Sequence, residues 1–170
     1  MLDQDEYRIG DTAQALITFP VPVDQALVTL ERDQVEAHGL LSKPPRNIHL
    51  TRQNERQWRA EIPVQADDPP NITFSLLYVQ NGAYIFQNKG LKVAVPRIRI
   101  ALVPDKTEYR PGDTVNVEVE TTLDGQPIAT HLAVSVVDEM VYVLQPEIAP
   151  PIHDFFHHIR RNQVRTASSL

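Results

Sequence analysis

The chain has 170 residues, 42% of them hydrophobic and 22% charged, a composition that builds packed cores and excludes intrinsic disorder. A formal charge of −6 removes the electrostatic basis for a nucleic-acid partner, and the absence of cysteine removes disulfides, thiol catalysis and zinc–cysteine sites from this stretch. No run approaches the roughly 20 apolar residues of a membrane span, and the N-terminus lacks the charged-then-apolar layout of a signal peptide.

The chain opens on a phrase that it repeats. Glu6-Tyr7-Arg8-Ile9-Gly10-Asp11-Thr12 returns as Glu108-Tyr109-Arg110-Pro111-Gly112-Asp113-Thr114, so that Tyr109 follows Tyr7 by 109 − 7 = 102 positions. A repeat of that length is a domain rather than a solenoid turn, and it predicts two related modules, residues 1–95 and 96–170. In each copy a Gly-Asp turn leads into an alternating run, Ala13 to Phe19 and Val115 to Glu120, the pattern of a half-buried strand. Recurring Tyr7 and Tyr109 read as structural residues beside a tight turn in preference to ligand-stacking aromatics, with inter-module contact as a third reading, and Pro111-Gly112 suits the centre of a type II turn.

Further strands are expected in the first module at Ala26–Leu30, Trp58–Val64, Ile72–Val79, Ala83–Gln87 and Leu91–Val95. Trp58, Ala60, Ile62 and Val64 share one face, and Ile72, Phe74, Leu76 and Tyr78 share another, so two sheets that face each other would bury both sets. Turn clusters at Ser42–Pro45, Asp67–Asn71 and Gln80–Gly82 are spaced as in an antiparallel sandwich.

The second module opens with Ile98, Ile100 and Leu102, whose counterparts at the repeat offset fall at and before Met1, so the first module is expected to lack its opening strand. Strands are expected at Val115–Thr121, His131–Val137 and Val141–Leu144, after which Pro146, Pro150 and Pro151 break the pattern. The fold class is therefore all-β, two tandem antiparallel sandwiches with the second incomplete. Edges left bare by the missing strands predict strand-mediated self-association.

Little in the sequence points to catalysis. His153, His157 and His158 cluster with i, i+4 spacing, but no third ligand or general base accompanies them, so no metal is expected there. Asp138 and Glu139 are adjacent and would point to opposite faces of a strand, which suits a strand-end bend better than acid–base work. Asn71-Ile72-Thr73 is a glycan acceptor only in a eukaryotic secretory setting and otherwise the turn before a strand. The tail from Arg160 to Leu170 has no strand alternation. It reads either as a flexible terminus or as an exposed stretch with cleavable arginine bonds.

The block from His131 to Leu144, with Val136-Val137-Asp138-Glu139 at its centre, together with Asp154-Phe155-Phe156 and Arg160 to Leu170, resembles the bacterial alpha-2-macroglobulin-like proteins. The Tyr-Arg-x-Gly-Asp-Thr openings resemble the starts of that family's macroglobulin domains. This resemblance implies fibronectin/immunoglobulin-like sandwiches, a non-enzymatic protease-trapping parent without cofactors, and a second module interrupted by the inserted bait segment. It places Arg160, Arg161, Arg165, Thr166, Ser168 and Ser169 at the protease-sensitive bait entrance, with Phe155 and Phe156 as docking anchors. The partners it implies are target endopeptidases and neighbouring macroglobulin domains, in a periplasmic and often membrane-associated protein. The thioester Cys-Gly-Glu-Gln motif is not in this stretch. The alternative is a tandem immunoglobulin-like adhesin or scaffold of a bacterial surface protein.

Overall fold

The computed structural model describes residues 1–146 and 148–165 and is built almost wholly of antiparallel strands. The chain groups into two compact units, residues 1–95 with the segment from His157 onward, and residues 96–156. Of the described residues after Phe156, those from Arg160 to Gln163 are hydrogen-bonded to residues of the first unit, as given below.

The first unit is a sandwich. One sheet has the order β1-β5-β4, from β1 (Thr12–Thr18), β5 (Gln57–Pro63) and β4 (His49–Arg52). The facing sheet has the order β3-β2-β6-β7, from β3 (Val35–Leu40), β2 (Leu27–Glu31), β6 (Asn71–Gln80) and β7 (Ala83–Lys92). Period-two alternation explains the layering: Ala13, Ala15 and Ile17 of β1 point inward with Ala60 and Ile62 of β5, while Ile72, Phe74, Leu76 and Tyr78 face them from β6. Phe19 meets Tyr78 edge to face at 5.1 Å, a geometry set by the ring quadrupoles. Each large apolar side chain buried there contributes about 1.5–3 kcal/mol.

The repeated phrase folds the same way twice. In the first copy the Tyr7 hydroxyl donates to Asp3 at 2.7 Å and accepts the Gln4 N–H, while Asp11 accepts the Arg8 N–H across the turn at 2.7 Å. In the second, Tyr109 donates to Asp105 at 2.5 Å and accepts the Lys106 N–H, and Asp113 accepts the Arg110 N–H at 3.0 Å. Gly10 and Gly112 close the two turns at φ 92° and 91°, a left-handed conformation that strains any residue with a Cβ.

The second unit holds one sheet of order β10-β9-β8, from β8 (Ile98–Pro104), β9 (Val117–Leu123) and β10 (Gln126–Pro127). Among the described residues no second sheet covers it, so Ile100 and Leu102 remain 54% and 61% exposed. Two expected strands are not formed. Residues 131–137 have no strand pairing, and Val141–Leu144 lies in a short helix, α1 (Glu139–Leu144). The β-branched residues there favour a strand only when a neighbouring strand satisfies their backbone. Asp138 instead accepts the Met140 N–H at 2.8 Å as a helix N-cap, which replaces the expected strand-end bend. A second helix, α2 (Ile152–Phe156), follows.

The 102-residue repeat carries over to the strand pairing at one rung. β8 ends on the pair Pro104↔Val117, and 102 residues earlier stands the single bridge Leu2↔Ala15, flanked by reciprocal bonds between Met1 and Leu16 at 2.8 and 2.9 Å. Beyond that rung the edge of β1 borders an open cleft of about 330 Å³ lined by Leu16, Ile17, Phe74, Leu76 and Asn88. In the second unit the equivalent edge is occupied by β8.

Candidate functional site

The site is built on the outer face of the four-stranded sheet, where polar residues of its two central strands are buried. Thr29 and Glu31 alternate on β2, and Asn71, Thr73 and Ser75 alternate on β6; all five are at most 7% exposed. The antiparallel register sets Glu31 opposite Thr73 and Thr29 opposite Ser75, which gathers the group into one patch. Glu31, 1% exposed, accepts hydrogen bonds from the hydroxyls of Thr29 and Ser75 and from the amide of Asn162 at 2.6 Å. A buried carboxylate is costly unless its lone pairs are taken up, and three donors meet that need here.

The segment from Arg160 to Val164 lies on this patch. The Asn71 amide donates to the Arg160 carbonyl at 2.8 Å, and its Oδ1 accepts the Arg160 N–H at 2.8 Å, so one side chain takes both polar groups of one backbone residue as a partner strand would. The Gln163 N–H donates to the Arg32 carbonyl at 2.9 Å, just past the end of β2. The Val164 N–H is held by Asn162 Oδ1 at 2.9 Å. Arg160 also pairs with Asp33 at 3.1 Å, an ion pair about half exposed on both sides and hence a minor contributor.

The sequence-predicted residues therefore fall into separate groups. Arg160 is bound through its backbone, whereas the side chains of Arg161 and Arg165 are exposed. Thr166, Ser168 and Ser169 lie outside the described residues. Phe155 and Phe156 sit in α2 of the second unit, edge to face at 5.1 Å and each 60% exposed, so neither is buried in a core. His153 contacts Asp154 at 3.2 Å, and among the described residues no group of three His, Cys, Asp or Glu is placed to hold a metal ion. The Asn71 side chain is committed to Arg160 and 7% exposed, which leaves no accessible amide for a glycan.

Glu31, Asn71 and Asn162 were not singled out as partners by the sequence. The signal lies in the polar outward positions Thr29, Glu31, Asn71, Thr73 and Ser75 on two otherwise apolar strands, which ordinary solvent exposure also explains.

An antiparallel sandwich, with its opening turn and tyrosine latch repeated ahead of a second, three-stranded sheet, puts the chain in the class of all-β sandwich proteins. Residues 1–144 match the family model described as the alpha-2-macroglobulin bait region domain. Over 169 residues the chain is 54% identical to an alpha-2-macroglobulin of the bacterium Ralstonia nicotianae, an alignment that covers 99% of this chain and 11% of that protein. The chain belongs to the alpha-2-macroglobulin bait region domain family. It spans about a ninth of the length of the relative it matches.

Proposed function

We propose that this chain is the part of a bacterial protease-trapping inhibitor that carries the entrance to its bait, with a structural and not an enzymatic role. The observation that carries this reading is the arginine-bearing segment seated on the first sandwich by Asn71, Glu31 and Arg32, in a chain whose residues 1–144 match the bait region domain family. A bait must be offered at a defined place, and a rigid sandwich from which it departs supplies that place. In the parent, endopeptidases would cut the bait, and the cut would release a rearrangement that encloses the attacker among neighbouring macroglobulin domains. We place that parent in the periplasm, associated with the membrane.

The test uses the full-length parent and trypsin, with two substrates read afterwards. Trapping leaves hydrolysis of a small chromogenic peptide intact and removes digestion of a large protein substrate. Digestion of both substrates at undiminished rates, with the parent fully cleaved, would contradict the reading.

A further inference from the structure

We infer that the Asn71–Glu31 patch is a peptide-docking site that sets where the cleavable stretch begins: the bonds following Arg160 and Arg161 are protected, and the first open arginine is Arg165. The inference deepens the bait reading but rests on separate observations. A serine protease holds its substrate by pairing with the backbone N–H and C=O groups on either side of the scissile bond, as an added strand does. Arg160 has neither group to offer, because Asn71 occupies both at 2.8 Å. Two residues further on, Asn162 is anchored to the buried Glu31, and the next backbone N–H, that of Gln163, is bound to Arg32. A protease that cuts after Arg160 or Arg161 must therefore peel the segment off four anchored groups before it can engage. Arg165 is exposed and lies past Val164, beyond the last of these contacts.

The chemistry of the patch defines its ligand class. It takes an extended peptide that presents a free backbone N–H and C=O to Asn71 and, two residues later, a side-chain amide donor to Glu31. Carboxylate recognition selects that second residue: Asn at position 162 donates through Nδ2, whereas Asp there would set two acids against each other.

The experiment is limited trypsin digestion of the full chain, with products identified by mass spectrometry and each rate normalised to cleavage of the same bond in a synthetic peptide of residues 157–170. Cleavage of a held segment follows the population of its open form, so the bonds after Arg160 and Arg161 are expected to be cut roughly tenfold or more slowly than the bond after Arg165, the factor expected of two net hydrogen bonds. Asn71→Ala, which removes two of the four anchors, should raise the Arg160 and Arg161 rates several-fold towards that of Arg165. Asn162→Ala, which alters only the docked segment and leaves the sandwich residues intact, should do the same to a lesser degree and covers the case in which Asn71→Ala lowers the melting temperature. Equal normalised rates in the unaltered chain, or protection unchanged in Asn162→Ala, would overturn the inference. Failure of the parent to trap a protease would leave this result standing, because the digestion reads docking and not capture.

Discussion

The hydroxyl of Tyr7 donates a 2.7 Å hydrogen bond to Asp3, and the same carboxylate oxygen accepts the Gln14 N–H at 2.8 Å, so the pair ties the chain start to β1 from within the sandwich. Tyr7 is fully buried. The Tyr7→Phe variant leaves the ring packed but strips one donor from Asp3 and one acceptor from Gln4, and it should cost about 1–2 kcal/mol in urea unfolding. Tyr109, part-exposed in the second unit, makes the matching bonds to Asp105 and Lys106, and Tyr109→Phe should lower stability by less.

The pair also predicts the pH response of the first unit. Burial first, then the bond to Asp3, pushes the Tyr7 phenol up from 10.0 to about 12. The raised value means that the folded state holds the proton more tightly, so this contribution is complete below pH 10 and is lost as pH rises towards about 12. The Asp3 carboxyl is held below its ordinary 3.8, chiefly by the Gln14 N–H and next by Tyr7, so its contribution is complete above that value and is lost as pH falls through the lowered one. Melting temperature followed between pH 9 and 12 should fall less steeply in Tyr7→Phe than in the unaltered chain.

Glu31 accepts from three donors at 1% exposure, and an amide in its place would have to turn the Thr29 hydroxyl from donor to acceptor, or set its NH₂ against the Asn162 amide, and would lose the charge-assisted character of the bonds. Glu31→Gln should destabilise the first unit by about 1–3 kcal/mol in denaturant titration. The same substitution should loosen the segment from Arg160 to Val164, which the digestion pattern reads separately.

Among the described residues nothing pairs with the outer edge of β8 in its sheet, and Ile98, Ile100, Leu102 and Val119 are exposed beside it. Bare strand edges next to apolar surface recruit other strands. Sedimentation at high micromolar concentration should show self-association that Ile100→Lys reduces; a single monomeric species across the range would contradict this.

The sequence announces the sandwich where strands alternate cleanly, as in β1, β5 and β6, and it hides the strands that carry little apolar material. Neither β3 nor β4 was legible: His49–Arg52 has one apolar residue, and Val35–Leu40 is an edge strand whose residues are all exposed or half-buried. Such edges need little burial to pair, so they leave no period-two signal. Val141–Leu144 misled in the other direction, because strand propensity counts only where a partner strand is present, while Asp138 caps a helix using its own neighbours alone. The docked segment was invisible for a related reason. Its contacts run from side chain to backbone across 89 positions of sequence and from side chain to side chain across 131, and contacts of that kind impose no periodicity on the residues that make them.

Amide hydrogen exchange of the Arg160 and Gln163 N–H groups tests the docking of this segment most directly. With Arg160 bound to Asn71 and Gln163 to Arg32, both amides should exchange well below the rate of the free peptide 157–170, and Asn71→Ala should release Arg160 first. Exchange of both amides at the free-peptide rate in the unaltered chain would show that the arginine segment is not held on the first sandwich and would contradict the account.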